Sequence, residues 1–280
     1  MLIMRCSTVT IQNSTISGNS SGYGGGIYAS GGTFTVQNST ISENSAEYGG
    51  GIYATSATVT ITRNTFTNNS ASSGGAIYAS GTVIMQGNTI TQNTASTSFR
   101  GVVRLDVSAD SIIGGDSCEY ANVIKDNTGD GVYIKGNPAF NHNDVYNNTG
   151  FSLVCGNASG AAPIDATNCY WGTDKESVVK AMIWDGLDDA SLGLVNYNPF
   201  LTVPCKPDDI IPPAAVTDLA ASDLTANSIT LTWTVPGDDG DEGQAKTYDI
   251  RYSTSEITDA NWDEATQCEG EPPPKPAGEP

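Results

Sequence analysis

The sequence predicts an all-β chain: a right-handed parallel β-helix (solenoid) followed by a smaller unit of antiparallel strands. Three observations carry this expectation. First, Gly24-Gly25-Gly26-Ile27-Tyr28-Ala29 returns as Gly49-Gly50-Gly51-Ile52-Tyr53-Ala54 and as Gly74-Gly75-Ala76-Ile77-Tyr78-Ala79, so Ile27, Ile52 and Ile77 lie 25 residues apart. A fixed period of this size marks stacked supersecondary units. Second, the apolar residues between these copies alternate with polar ones, which is strand patterning, and no 3.6-residue period runs through them. Third, beyond residue 203 the repeat stops and single, unrepeated strand patterns follow a Pro-rich stretch.

Residues 6–97 hold four copies of the unit. Each opens on an alternating strand: Thr8-Val9-Thr10-Ile11, Thr33-Phe34-Thr35-Val36, Thr58-Val59-Thr60-Ile61 and Thr82-Val83-Ile84-Met85. Period two places Val9/Ile11, Phe34/Val36, Val59/Ile61 and Val83/Met85 on one face. A corner follows, with Asn13, Asn38, Asn64 and Asn88 read as one row and Asn19, Asn44, Asn69 and Asn93 as a second. Asn suits such corners because it tolerates left-handed backbone and its amide can form ladders. Between the rows, Ile16, Ile41, Phe66 and Ile90 form an interior column, and Ile27, Ile52 and Ile77 with Ala29, Ala54 and Ala79 form another. No single unit can bury its apolar face alone, so the units stack as parallel strands about 4.8 Å apart. The usual hand of parallel crossovers makes the coil right-handed.

The pattern continues with altered loops. Asn122–Asn127 and Asn143–Asn148 repeat the corner 21 residues apart, while Gly131-Val132-Tyr133-Ile134 and Phe151-Ser152-Leu153-Val154 take the part of the Ile-Tyr-Ala strand. Residues 97–121 fit poorly and read as a strand at 100–105 and an insertion at 110–120. Ser177–Trp184 reads as a short helix or turn. Trp171, Trp184, Tyr197 and Phe200 are the residues expected to cap the last apolar layer. The expected boundaries are 1–203 for the solenoid, 204–213 for a linker, 214–268 for the second unit and 269–280 for an extended Pro-rich tail. Within the second unit, strands are expected at Val216–Ala221, Ser228–Trp233 and Thr247–Ser253.

The formal charge of −19 is unevenly placed. The first hundred residues carry Arg5, Arg63 and Arg100 against Glu43 and Glu47, so nearly all the negative charge lies further on. An acidic chain without a basic cluster argues against nucleic acid and against anionic lipid as partners. No apolar run is long enough to span a membrane. Met1–Arg5 runs directly into a repeat, which reads as a truncated end rather than a signal peptide. The cysteines are Cys6, Cys118, Cys155, Cys169, Cys205 and Cys268, with no Cys-x-x-Cys pair and a single histidine, His142. That spacing argues against zinc. Disulfides suit an exported protein, and Cys155 with Cys169 is the favoured pair.

The Gly-Gly-x-Ile-Tyr-Ala and Asn-x-Thr-Ile-x-x-Asn repeats resemble those of right-handed β-helix surface proteins, including polymorphic outer-membrane-protein and pectate-lyase-like families. Asn168-Cys169-Tyr170-Trp171-Gly172-Thr173 followed by Asn198-Pro199-Phe200-Leu201 is similar to the terminal coil of such secreted proteins. The resemblance covers about residues 6–203 and implies an extracellular or cell-surface location. Residues 212–266 resemble the first half of a fibronectin type III domain through Pro212–Leu219, Ile229–Trp233 and Tyr248–Ser253. It implies a partial immunoglobulin-like β-sandwich holding about three of roughly seven strands, with Trp233 in its core.

Four sets of residues carry candidate chemistry. Tyr28, Tyr53 and Tyr78 should point outward and stack coil over coil, as a glycan-binding row or as plain strand formers. Thr15, Thr40, Thr65 and Thr89, beside Ser17, Ser42, Thr67 and Thr91, form an outward hydroxyl row of the kind ice-binding β-helices use, although Thr is also a strong strand former. Asp238, Asp239, Asp241 and Glu242 form an acidic loop that could hold calcium, the one cofactor suggested, or could be a solvated turn. Asp185–Asp189 reads the same way. Finally, the resemblance to polysaccharide lyases and glycoside hydrolases implies a need for an Asp cluster and an Arg or Lys base. Asp106, Asp110, Asp116, Asp126, Asp130, Asp144 and Asp165 with Arg104 could be assembled into such a site, or could be turn and surface carboxylates. Yet residues 6–97 contain no Asp, and neither Gly-His-Gly nor Arg-Ile-Lys occurs. The function expected is binding or display toward a glycan or cell-surface partner, by a monomer. The alternative is a lyase or hydrolase with its site around residues 104–165 or on coils outside this chain. Asn-x-Ser/Thr sequons such as Asn38-Ser39-Thr40 read as by-products of the Asn rows.

Overall fold

The computed structural model describes every residue except 1, 6–7, 208–212, 227, 239, 241, 246, 259–260, 269 and 280, and the side chains of 2–5, 56 and 57 also lie outside the description. Cys6 and half of the predicted linker therefore fall outside it. The chain divides into two units, Met1–Pro207 and Asp208–Pro280.

The first unit is a right-handed parallel β-solenoid. Its coils bend through two limbs of one 14-stranded sheet, then turn a corner into a 6-stranded sheet. Along the first limb the register runs Ile27–Ser30, Ile52–Thr62, Ile77–Gln86, Val103–Val107, Val132–Lys135, Leu153–Cys155 and Ile183–Trp184, all parallel. The second limb stacks Thr8–Gln12 and Thr33–Gln37 on the later halves of Ile52–Thr62 and Ile77–Gln86, then Ile112–Gly114, Ala139–Asn141, Ile164–Asp165 and Val195–Asn196. The smaller sheet runs from Thr15–Ser17 to Asp144–Tyr146.

Alternation along these strands decides what is inside. Ile27, Ile52, Ile77, Val103, Val132 and Leu153 form one buried column, and Ile41, Phe66, Ile90, Ile124 and Val145 another. Removing a central ring such as Phe66 costs about 3–5 kcal/mol in a core of this kind. Gly25, Gly50 and Gly75 allow the corner between the small sheet and the first limb, because a Cβ there would run into the backbone of the next coil.

The Asn rows hold the corners, but not in the grouping expected. Two buried ladders exist. In one, the backbone N–H of Asn19, Asn44, Asn69, Asn93 and Asn127 each donates to the Oδ1 of the next member, ending at Asn148, at 2.8–3.2 Å. From Asn44 onward each Asn also returns its Nδ2 to a core-strand carbonyl of the preceding coil, as Asn69 does to Ile41 at 2.8 Å. The other ladder runs through Ser14, Ser39, Asn64, Asn88, Asn122 and Asn143. Asn13 and Asn38 are therefore not ladder members. They hold the preceding left-handed position, with φ of 48° and 50°, as Arg63 and His142 do in later coils. The sequon at Asn38 belongs to that exposed position and not to the buried row.

Three further expectations change. Residues 112–114 form a regular strand of the second limb, so the insertion is confined to the loop between it and Val123–Lys125. The strand expected at 151–154 is Leu153–Cys155, in register with Val132–Ile134, because Ser152 and not Phe151 matches Gly131. The short helix or turn expected at Ser177–Trp184 is found as a helix, Glu176–Ala181, ahead of Ile183–Trp184. At the solenoid end Trp171 is fully buried and Tyr197 and Phe200 pack against the core. Trp184 instead lies outside it, 5.2 Å from both Phe99 and Phe151.

The second unit contains two short antiparallel pairs among its described residues, Ala220–Ser222 with Thr230–Thr232 and Arg251–Tyr252 with Thr266–Gln267. The strands expected there are shorter than predicted, and no stacked pair of sheets is seen among the described residues. Trp233 meets Tyr248 edge to face at 5.6 Å. Asp218 accepts from the backbone N–H and hydroxyl of Thr234, which holds its carboxyl below the usual range.

The corner geometry separates neighbouring residues sharply. Asn69→Ala leaves buried backbone groups without partners and should cost about 3 kcal/mol, whereas Asn68→Gly, at an exposed left-handed position, should stay within about 0.5 kcal/mol. Urea denaturation of both variants checks this contrast.

Candidate functional site

Each limb of the large sheet presents an outward face, and the register settles what each one carries. On the first limb the outward column reads Tyr28, Tyr53, Tyr78, Arg104, Tyr133. The tyrosines are half-buried, since alternation sends the flanking Ile and Ala inward. Tyr28 and Tyr53 stack at 5.6 Å with planes 8° apart, and Tyr53 and Tyr78 lie 4.8 Å apart. A second short column, Tyr23 on Tyr48 at 5.3 Å, flanks them. The ring faces are thus taken up by one another, leaving ring edges and hydroxyls for solvent.

Sequence reasoning missed how this column ends. Arg104 is inserted between Tyr78 and Tyr133, its guanidinium carbon 5.2 Å and 4.4 Å from their ring centres. Its Nη2 lies 3.3 Å from the Asp106 carboxylate, which also accepts a 2.8 Å hydrogen bond from the Tyr78 hydroxyl. Arg104 is buried, and its Nε and Nη1 and the Asp106 Oδ1 have no hydrogen-bond partner among the described residues. Burial, together with the bond to Asp106, pushes the Tyr78 phenol from its ordinary 10.0 up to about 12. Alternation alone marks residue 104 as the outward successor of Tyr78, so the signal was present in the 25-residue repeat.

Of the other carboxylates named from the sequence, Asp116 and Asp165 line one groove on the second limb, while Asp126, Asp130 and Asp144 lie apart from it. Asp130 is buried and accepts from the backbone N–H of both Phe99 and Phe151, fixing the aromatic cluster they make with Trp184. Asp144 is fully buried and accepts from the N–H groups of Cys205 and Lys206 at 2.8 and 2.7 Å. Asp126 sits at a left-handed corner, 3.7 Å from Lys125. Among the described residues no three His, Cys, Asp or Glu side chains lie close enough to hold a metal ion. In the acidic loop Asp238 accepts from the N–H of Gln244, while Asp239 and Asp241 lie outside the described residues and Glu242 is exposed. Asp185, in the second acidic stretch, is buried and accepts from the N–H groups of Leu187 and Val195.

The hydroxyl row lies on the small sheet, where Thr15, Thr40, Thr65 and Thr89 pair in register. It ends at Val123. On the second limb the outward Thr10, Thr35 and Thr60 give way to Ile84, Ile112 and Ala139, beneath a groove of 640 Å³. The loop above that groove is tied down by a Cys118–Cys205 disulfide. The favoured Cys155–Cys169 pair is not formed, because the two thiols belong to different buried columns. Cys155 points into the core behind Ile134, and Cys169 takes the last place of an Asn ladder, 3.4 Å from the Asn143 N–H. Burial raises both thiols, that of Cys169 to about 12.

These features define a class: a right-handed solenoid with Asn-laddered corners. The chain matches the family described as "Right handed beta helix region" over residues 2–169, and it belongs to that family. Short segments are also similar to curated proteins: 55% identity over 47 residues to Calcium-activated chloride channel regulator 1 of Mus musculus, 17% of this chain and 5% of the relative. The same protein of Homo sapiens is 53% identical over 47 residues, again 17% and 5%. Calcium-activated chloride channel regulator 2 of Homo sapiens is 46% identical over 56 residues, 20% and 6%. The chain thus spans about a twentieth of the length of these relatives. No solved structure matches it significantly.

Two measurements check this chemistry. A neutral Tyr78 phenol favours the fold fully below pH 10.0, and this contribution is lost as pH rises toward about 12. Tyr78→Phe should therefore lose less stability than the parent chain across that window in pH-dependent unfolding. Iodoacetamide should label Cys268 in the native protein and reach Cys155 and Cys169 only after unfolding, as site-resolved mass spectrometry would show.

Proposed function

We infer that the chain is an extracellular binding or display module which presents the outward faces of its solenoid to a glycan or a cell-surface partner. The observation that supports this best is the column of Tyr28, Tyr53, Tyr78, Arg104 and Tyr133. It forms a flat, repeating strip of hydroxyls and ring edges that contributes nothing to the core. Tyrosine and arginine are the residue types that concentrate binding energy at contact surfaces. The Cys118–Cys205 disulfide supports an oxidising, extracellular setting. The aspartates instead support the fold: Asp130 and Asp144 hold backbone N–H groups, which argues against the lyase or hydrolase alternative.

The second unit is proposed to be a fibronectin type III spacer, on the strength of its Trp233–Tyr248 contact and short antiparallel pairs. Calcium at the Asp238 loop remains part of the proposal only as a ligand of that spacer, testable by a calcium-dependent rise in its melting temperature.

Glycan-array retention, followed by assay of the eluted glycans for new ends, tests the reading. Retention without turnover is expected, and Tyr53→Ala should weaken it about tenfold, as loss of a central contact residue does. Release of unsaturated or reducing ends from any polysaccharide would contradict it.

A further inference from the structure

The groove on the second limb is built from consecutive coils. Its floor is apolar: Ile112, 39% exposed, is the cross-strand partner of Ala139. Gln86 and Asn141 form one rail, Asp165 lies on the next coil, and Asp116 and Tyr120 stand on the overhanging loop. That loop is a fixed wall. Its root is held by the Gly115 N–H on the Asn141 carbonyl at 3.1 Å, its far end by the Gly87 N–H on the Tyr120 carbonyl at 3.0 Å, and its middle by the disulfide at Cys118. A second recess of 200 Å³, lined among others by Arg63 and Glu119, shares Gln86 and Tyr120 with the groove.

The hydrogen-bonding inventory of the groove leans toward acceptors, set against the Tyr120 hydroxyl and the Asn168 amide as donors. The Gln86 Nε2 donates to the Gly114 carbonyl and the Asn141 Nδ2 donates to Thr167, and neither amide oxygen has a hydrogen-bond partner among the described residues. The His142 Nδ1 lies 2.9 Å from the Gly115 carbonyl and carries the hydrogen there, which leaves Nε2 as the ring nitrogen without a partner among the described residues. Asp116 and Asp165 add carboxylate oxygens, of which only the Asp165 Oδ1 is engaged among the described residues, by the Thr167 N–H. A ligand for this surface must bring donors to the rails and an apolar face to Ile112 and Ala139. Pyranose rings have both, with hydroxyls around the rim and C–H groups on the faces.

We propose that this groove is a saccharide site selective for sugars rich in hydrogen-bond donors, neutral or amine-bearing, and closed to uronates. Excess acceptors and two carboxylates would leave a uronate carboxylate facing like charge and unpaired lone pairs. The site goes beyond the tyrosine column and lies on a different limb, so each can fail without the other.

Isothermal titration of the full chain tests it with four probes: a chitosan oligosaccharide, a neutral β-glucan oligosaccharide, oligogalacturonate and spermine. The first two should bind, with oligogalacturonate at least about tenfold weaker. Ile112→Ser should weaken both saccharides, Asp165→Asn should weaken the amine-bearing one more, and Tyr53→Ala should leave both bound. Tyr120→Ala serves as a second groove variant if either groove variant unfolds. The proposal is overturned if oligogalacturonate binds as well as the others, if neither saccharide binds, or if spermine matches the chitosan oligosaccharide, since charge alone would then be read. Loss of binding with Tyr53→Ala but not with the groove variants would also overturn it, while leaving the tyrosine column as the contact surface.

Discussion

Everything else in the solenoid depends on how its corners satisfy their backbone. Stacked parallel strands pair their own N–H and C=O groups, but a sharp corner between sheets turns some of these groups toward neighbouring coils, where water cannot reach them. The Asn side chain supplies both an acceptor for the N–H of the coil before it and a donor for that coil's carbonyl, as Asn69 does for Asn44 and Ile41. An unpaired buried backbone group is costly, so each ladder position has few substitutes. The ladders also act as a ruler. Successive members are 25, 24, 34 and 21 residues apart in sequence, yet both ladders change spacing together. The short segment between the two corners is therefore constant, and length variation falls outside it, in the loops flanking the large sheet and in the bend between its limbs, where Ile77 pairs with Val103 but Ile84 with Ile112.

That arrangement explains where candidate function can arise. The groove wall at 115–120 is the long loop of the 34-residue coil, admitted because the ladders on either side hold register. The two limbs differ in character. The first offers tyrosine hydroxyls and one buried guanidinium, while the second changes from threonine rows to an apolar floor as it passes beneath the loop. The carboxylates that might suggest catalysis mostly position backbone: Asp130 fixes two aromatic loops, and Asp144 anchors the segment that carries Cys205.

The period, the inward columns and the outward tyrosines were legible in the sequence because strand alternation and a fixed repeat leave little freedom. The ladders were legible only in part. Counting back from Ile16, Ile41 and Phe66 shows that Ser14 and Ser39 align with Asn64, but the shared letter Asn drew Asn13 and Asn38 into the row instead. Cys169 completes the same row, and a thiol gives no hint of that in composition. The Cys118–Cys205 bridge joins residues 87 apart through the path of a loop, and spacing carries no information about it. Ring orientation was also beyond reach. Alternation says that Tyr53 faces outward, but only packing shows that its faces are covered by Tyr28 and Tyr78. The groove needed the loop's position above the second limb, a tertiary fact with no local signature.

The central claim is that the buried Asn ladders hold the coils in register. Residue-resolved hydrogen exchange of the native chain tests it most directly. The backbone amides of Asn44, Asn69, Asn93 and Asn127 should be among the slowest to exchange, opening only with global unfolding of the solenoid. Exchange of those amides as fast as the exposed loop at 159–163 would show that the corners open on their own and that the register is held elsewhere.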